Sequence, residues 1–499
     1  MLPTPRADLK ANTVAYEVTP LVKPTGFREY DARWLFGSEI NLLGVQALGL
    51  GLGTLIRELG KEPKIVVGHD YRSYSSSIKQ ALTVGLMTAG IEVSDIGLAL
   101  SPVAYYAQFA LDIPCVAMVT ASHNENGWTG VKMGVEAPLT FGPDEMARLK
   151  EIVLTGAGKS RAGGGYKYVE GLKERYIADV AHNVAIKRRL KVVAACGNGT
   201  AGAYAPDALA RLGVEVVPMD CALDYTFPKY NPNPEDLKML HAMRDAVLEH
   251  KADVALGFDG DGDRCGVVDD EGEEIYADKI GVLIARDLSG LHKGAQFVVD
   301  VKSTGLFLTD PVLIENGAKV TYWKTGHSYI KRKNHEMGAL AGFEKSGHFF
   351  FNRPIGRGYD DGLVAAIALL QMLDRNPEKK LSDLRKSLPK TWQSPTMSPH
   401  CDDEKKYGVV DAIVKSLVAR AGDGGKIIGQ KIRGVVTVNG VRITAEDGTW
   451  GLVRASSNKP ELVVVVESPA SEENMKKMFS ELDAEIRKHP EVGAYNQTI

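Results

Sequence analysis

With 499 residues, 44% of them hydrophobic and 25% charged, the chain is too long for one core and ordinary in composition for a globular protein, so roughly three or four domains are expected. A formal charge of −3 offers no basic footprint for nucleic acid, and no window holds the ~18 apolar residues of a membrane span. The five cysteines (Cys115, Cys196, Cys221, Cys265 and Cys401) are scattered and never form C-x-x-C. That argues against a disulfide scaffold or a zinc site and for a reducing compartment. Residues 1–8 lack the apolar core of a signal peptide, so a soluble, cytoplasmic protein is expected.

From residue 64 the pattern alternates strand and helix. Strands are predicted at 64–68, 91–93 and 115–120, with helices at 76–89 and 103–111. Gly163, Gly164 and Gly165 form a cluster that reads as a domain linker. The cycle then restarts, with strands at 190–195, 214–217 and 253–256 and a helix around 235–249. A third cycle places strands at 296–301, 320–323 and 339–343. Strands alternating with helices of this length imply largely parallel sheets. The last part differs: a helix near 404–420, strands at 435–438, 451–454 and 462–467, then a charged helix from 471 to 488. This reads as a small α+β domain with an antiparallel sheet. The expected division is 1–163, 164–285, 286–392 and 393–499.

Each α/β cycle ends an apolar strand in one polar loop. The first, Thr120-Ala121-Ser122-His123-Asn124-Glu125-Asn126-Gly127, offers a serine where open α/β sheets place their chemistry. On an extended loop adjacent side chains point apart, so His123 is expected to be poorly placed as a base for Ser122, and the G-x-S-x-G elbow is absent. A turn whose polar side chains merely satisfy its backbone explains this loop as well. The second, Gly257-Phe258-Asp259-Gly260-Asp261-Gly262-Asp263-Arg264, carries three aspartates that share a face if the segment is extended. An EF-hand needs glycine at loop position 6 and glutamate at position 12, where this chain has Arg264 and Asp270, so that reading fails. Three carboxylates leave part of a Mg²⁺ shell open for water or a phosphate oxygen. The third loop places Glu344, Ser346 and His348 at alternate positions. They suit adjacent hydroxyls of a sugar, although a polar edge strand explains them nearly as well. Lys132, Lys302 and His327 lie at or near strand ends, where an exposed lysine or a histidine cap is the ordinary reading. Arg454-Ala455-Ser456-Ser457-Asn458-Lys459-Pro460 has donors that suit a phosphate.

Taken together, these segments resemble the α-D-phosphohexomutases, most closely the bacterial phosphomannomutase/phosphoglucomutase branch. The match runs from Phe27-Arg28-Glu29-Tyr30-Asp31 to the loop near residue 460. The resemblance implies three related α/β domains with mixed, largely parallel sheets and a C-terminal α+β domain of TATA-binding-protein-like topology, around a central cleft. It implies that Ser122 is carried as phosphoserine and that Asp259, Asp261 and Asp263, with Ser122, hold Mg²⁺. Arg264 would orient substrate or phosphoserine, and Glu344 and Ser346, with His348 nearby, would contact the sugar. Arg454, Ser456, Ser457 and Asn458 would grip the non-reacting phosphate. Arg28, Lys132, Lys302 and His327 would serve near the reacting groups. The implied reaction moves a phosphoryl group between the 6- and 1-positions of a hexose phosphate through a hexose 1,6-bisphosphate, which also acts as activator. Mannose phosphates are the first substrates implied and glucose phosphates the second, in a monomer or weak homodimer that binds neither nucleic acid nor membrane.

The chain departs from the pattern in two places. The phosphate loop reads Arg454-Ala455-Ser456-Ser457-Asn458-Lys459-Pro460 where this branch usually has R-x-S-N-T-x-P, and Trp34-Leu35 stand where the family commonly has a short I-R-G. A phosphoglucosamine mutase is the alternative substrate reading, disfavoured because the G-T-E-P form is missing. A metal-dependent sugar phosphatase and a sugar-phosphate-binding regulator are the remaining alternatives.

Overall fold

The structure, a computed structural model, describes residues 3–182 and 184–499; Met1, Leu2 and Asn183 lie outside it. The chain forms two compact units. One holds the residues up to 277 together with 334–336 and 346–383, the other 278–333, 337–345 and 384–499.

The first unit contains two mixed sheets. The six-stranded one runs in the order Asp31–Leu35, Trp128–Gly134, Cys115–Val119, Lys64–His69, Glu92–Leu98, Gly165–Tyr168. Its last four strands are parallel, while Trp128–Gly134 returns antiparallel to Cys115–Val119 and Asp31–Leu35 closes the edge antiparallel. Cys115–Val119 is buried throughout, as expected of a strand covered on both faces. The five-stranded sheet repeats the plan in the order Glu274–Ile275, Cys265–Asp269, Val254–Phe258, Lys191–Ala195, Glu215–Met219. Again a buried parallel strand, Val254–Phe258, turns directly into an antiparallel partner, Cys265–Asp269. In both sheets the polar loop singled out from the sequence is that turn.

Several elements differ from the sequence expectation. The glycine cluster does not end the first sheet, because Gly165–Tyr168 pairs in parallel with Glu92–Leu98. Gly164 is there for close approach: a Cβ on it would lie 2.1 Å from Met87 O. The expected boundary at residue 285 falls inside the helix Ala277–Leu291. The helix Leu42–Glu58 carries four glycines, an unfavourable composition for an isolated helix. It is held by packing against Ser75–Thr88, where a Cβ on Gly49 would meet Leu82 O at 2.2 Å and one on Gly85 would meet Gln46 O at 2.1 Å. Trp128–Gly134 mixes glycines and a lysine into its strand, which erases the apolar run that marks its neighbours.

The second unit contains the parallel strands Lys319–Trp323, Gln296–Asp300 and Ala341–Phe343. Its C-terminal sheet is wholly antiparallel, in the order Trp392–Gln393, Leu462–Ser468, Trp450–Ala455, Val441–Ala445, Gln430–Val436, Lys426–Ile427. The helices Lys406–Gly422 and Glu472–Ile486 cover one face, packing Ile413, Leu417, Met478 and Leu482 onto Val441, Ile443, Val453 and Val464. Alternate residues Trp450, Leu452, Val463 and Val465 face the other way, toward Val301. There the Arg442 guanidinium lies 3.6 Å from the Trp450 ring centre and 4.2 Å from that of Tyr322, and donates to Val301 O and Ser303 O. The fold is therefore three α/β domains with mixed, largely parallel sheets, followed by an α+β domain.

Candidate active site

In the first unit the serine loop and the aspartate loop meet. The Ser122 hydroxyl donates to Asp259 Oδ2 at 3.0 Å, and both residues are buried. Ser122 has φ 51°, a left-handed conformation rare for a non-glycine residue. Its N–H donates to Thr120 Oγ1 at 2.8 Å, while its carbonyl accepts from Arg72 at 3.0 Å. Arg72 also donates to Asn124 O at 2.6 Å and pairs with Asp70, which accepts from the Thr120 hydroxyl. A buried Arg–Asp frame thus holds the strained turn. That turn corrects the expectation for His123: it swings the ring back, and His123 Nδ1 lies 3.2 Å from Ser122 Oγ.

The aspartates also converge through a turn rather than an extended segment. The Gly262 N–H donates to Asp259 O at 3.1 Å, and Gly262 takes φ +72°, a conformation that costs glycine least. Carboxylate oxygens of Asp259, Asp261 and Asp263 all lie within 4.8 Å of one another. Lys132 Nζ donates to Asp261 Oδ2 at 2.7 Å and also pairs with Asp263. The Ser101 hydroxyl adds a bond to Asp261 Oδ2 at 2.6 Å. Burial pushes Asp259 well above the carboxylate range, helped by Asp261 and Asp263. Burial, then Asp261, also pushes Asp263 up. Burial works against the charge of Asp261 too, but Lys132 and Ser101 outweigh it and hold that carboxyl below its usual range. Lys132 is its counterpart: burial opposes its charge, and the two carboxylates raise it well above an ordinary lysine. Asp261 Oδ1 and Asp263 Oδ1 are buried without a hydrogen-bond partner. Three carboxylates against Lys132 and the Arg264 guanidinium, which lies 3.8 Å from Asp259, with two oxygens unsatisfied, fit a hard divalent cation bound by oxygen.

Arg264 and His348 flank this cluster. Arg264 N–H donates to Asp259 Oδ1 at 3.3 Å, Arg264 Nε to His348 Nε2 at 3.0 Å, and Arg264 Nη1 to Glu235 at 3.2 Å. With Nε2 accepting, the proton of a neutral His348 is assigned to Nδ1, which faces Asp360 Oδ2 at 3.1 Å and Asp263 Oδ1 at 3.6 Å. His348 therefore orients Arg264. Ser346 is buried one residue before Gly347, whose carbonyl accepts from the Cys265 N–H.

Other predicted residues belong to the second unit. The Glu344 carboxylate accepts from the Gly326 N–H at 3.0 Å, directly before His327 at the head of the helix His327–Met337. Lys302 is buried beside the Asp300 network, in which Asp300 accepts from Ser303, from Thr325 Oγ1 at 3.0 Å and from the Lys345 N–H at 3.3 Å. Arg454 is the penultimate residue of the strand Trp450–Ala455, with Nη1 donating to Ala455 O at 2.7 Å. Ser456, Ser457 and Asn458 form the hairpin that follows, closed by the bond from Ser456 N–H to Glu461 O at 3.0 Å.

Sequence reasoning missed five contributing residues: Arg33, Ser101, Asp360, Asp70 and Arg72. Arg28 sits on the turn entering the first strand, where its N–H donates to Asp31 O. Besides Arg72, the Arg33 guanidinium reaches the serine loop, donating to Ala121 O at 3.1 Å and Asn124 Oδ1 at 2.6 Å and pairing with Asp31. Its place three residues beyond Tyr30, on an edge strand with no apolar run, was the only available signal. Ser101, Asp360 and the Asp70–Arg72 frame carry no motif.

Four consecutive segments match the phosphoglucomutase/phosphomannomutase family: its alpha/beta/alpha domains I, II and III at residues 24–159, 167–272 and 276–392, and its C-terminal domain at 401–485. A phosphomannomutase/phosphoglucomutase of Pseudomonas putida is 35% identical over 464 residues, 92% of this chain and 95% of its own. A phosphoglucomutase of Neisseria gonorrhoeae is 30% identical over 442 residues, 89% and 92% of the two chains. The crystal structure of a phosphoglucomutase/phosphomannomutase family protein from Burkholderia thailandensis matches with a TM-score of 0.83 at 28% identity, covering 94% of this chain and 98% of that one. Fold, domain order and sequence agree along nearly the whole length, and the chain belongs to the phosphoglucomutase/phosphomannomutase family.

Proposed function

We propose that the chain interconverts the 6- and 1-phosphates of a hexose, mannose phosphates first and glucose phosphates second, through a phosphoryl group carried on Ser122. The observation that carries this is the placement of Ser122 Oγ 3.0 Å from Asp259 at the edge of a buried three-carboxylate pocket. In transfer, the Oγ–P bond breaks as the free hydroxyl of the sugar phosphate forms a new O–P bond, and the hydroxyl proton passes to the serine oxygen. Asp259 Oδ2 and His123 Nδ1 are the groups beside that oxygen. The product is a hexose 1,6-bisphosphate, and return of its other phosphate to Ser122 completes the cycle.

A phosphoserine brings about −1.5 to −2 charges. Mg²⁺ held by Asp259, Asp261 and Asp263, with Ser122, supplies charge neutralisation of the transferring phosphate. Lys132 and Arg264 hold the pocket and add positive charge fixed before reaction, so the catalytic gain is positioning and electrostatics. Arg28, Lys302 and His327 are assigned roles near the reacting groups. Glu344, Ser346 and His348 are assigned to sugar recognition, and Arg454, Ser456, Ser457 and Asn458 to the distal phosphate. The unpaired cysteines support work in the reducing cytoplasm.

The test is a coupled assay with Mg²⁺ and a trace of 1,6-bisphosphate on mannose 1-phosphate, glucose 1-phosphate and glucosamine 1-phosphate. Formation of 6-phosphate without free phosphate is expected, and kcat/KM ranks the substrates. Ser122→Ala is expected to abolish turnover while substrate still binds. Release of inorganic phosphate, or full activity of that variant, overturns the mechanism.

A further inference from the structure

Two of the five cysteines meet away from the aspartates. Cys196 follows the strand Lys191–Ala195, and Cys221 lies two residues beyond the parallel strand Glu215–Met219. Their sulfurs are 3.5 Å apart. Cys196 is buried and Cys221 half-buried. Cys221 Sγ also lies 3.3 Å from Ala194 O and 3.5 Å from Met219 O, whereas Cys115 and Cys265 meet carbonyls, Glu62 O at 4.0 Å and Gly266 O at 3.7 Å.

The pair is wired to the aspartate loop by one short segment. The turn Thr200–Ala203 begins four residues after Cys196, and a Cβ on Gly202 would lie 2.1 Å from Cys221 O, so the turn is pressed onto the Cys221 backbone. The Thr200 N–H donates to Gly260 O at 3.3 Å, and the Thr200 hydroxyl accepts from Tyr71 N–H at 2.9 Å. A Cβ on Gly199 would meet Gly260 Cα at 3.3 Å. Gly260 stands between Asp259 and Asp261.

We propose that Cys196 and Cys221 are a redox-active dithiol that closes to a disulfide with a small-molecule disulfide as oxidant, and that closure weakens cation binding by the neighbouring aspartate loop. The second half rests on the reading of Asp259, Asp261 and Asp263 as a metal site. The Cys221 thiolate attacks the oxidant, forming a mixed disulfide and releasing one thiol. Cys196 then loses its proton and attacks Cys221 Sγ, releasing the second; the protein is oxidised by two electrons and the oxidant becomes two thiols. Cys221 is the suited attacker: it is half-buried where Cys196 is buried, and its hydrogen bond with Cys196 lowers its thiol against the opposing effect of burial. Burial instead pushes Cys115 and Cys265 up to about 12. Bringing the sulfurs from 3.5 Å to the ~2.05 Å of a disulfide draws both strand ends together, with Thr200–Ala203 and Gly260 packed between them and the cation pocket.

The intact protein is incubated with oxidised glutathione, its thiols counted and its peptides mapped, and Mn²⁺ binding is measured on both forms by electron paramagnetic resonance. Loss of two of the five thiols, a peptide joining Cys196 to Cys221, and reversal by dithiothreitol are expected. The Kd for Mn²⁺ is expected to rise at least about five-fold on oxidation and to stay constant in oxidant-treated Cys221→Ser. Five remaining thiols, glutathione left on Cys221 without closure, or unchanged Mn²⁺ affinity after closure overturns the proposal. If Mn²⁺ binds neither form, the metal reading and the coupling fail together, while the peptide map still decides the disulfide.

Discussion

Lys132 shows how one residue sets the balance of the pocket. Its ammonium is buried between Asp261 and Asp263, and removing one partner of a buried ion pair leaves charge uncompensated. Lys132→Met is therefore expected to destabilise the metal-free protein by about 3–5 kcal/mol, with a smaller loss when Mg²⁺ is present; denaturation with and without the ion checks this. The lysine was visible in the sequence, but its surroundings were not, because its partners come from a loop 129 and 131 residues away. The same limit applies to His123, whose position depends on one left-handed residue at Ser122 that no periodicity encodes. Arg33 was missed for a related reason: its bonds go to backbone and side-chain oxygens of the serine loop, contacts formed only when the edge strand docks.

Among the elements, the crossing of Leu42–Glu58 over Ser75–Thr88 depends on glycine. Gly85→Ala raises intrinsic helix propensity by ~1 kcal/mol, yet its Cβ would meet Gln46 O at 2.1 Å. Overpacking against backbone is expected to win, for a net loss of about 2 kcal/mol, read from the denaturant midpoint. In the C-terminal sheet, Glu467 accepts from Lys279, Thr304, Thr391, Trp450 and the Gly305 N–H. Burial alone would raise its carboxyl, but Lys279 and these donors lower it from 4.5 to about 2. A depressed folded value means stability that is fully present above pH 4.5 and lost as pH falls through about 2. That loss is on the order of 3 kcal/mol. Glu467→Gln is expected to flatten the acid limb of a stability–pH curve; an unchanged acid limb would assign the acid sensitivity elsewhere.

At the scale of the molecule, two compact units make a single unfolding free energy a poor description. The serine, the aspartates, Lys132 and Arg264 all belong to the first unit. Calorimetry is therefore expected to show Mg²⁺ raising a transition of that unit, by about 2.7 kcal/mol at one hundred times Kd, with Asp261→Asn removing the rise. A transition assigned to the second unit should stay where it was.

The sequence by itself determined the α/β alternation, the antiparallel C-terminal sheet, the serine and aspartate loops and the family, because buried parallel strands and loop motifs are local patterns that one segment carries whole. Tertiary structure alone decided the rest. It decided that Gly163–Gly165 leads into an edge strand, that a glycine-rich segment is a helix, that His123 turns back on Ser122 and that Arg33 meets the serine loop. It also brought Cys196 to Cys221. Each of these depends on close approach between segments distant in the chain, where backbone contact, buried charge and a single dihedral angle outweigh local propensity.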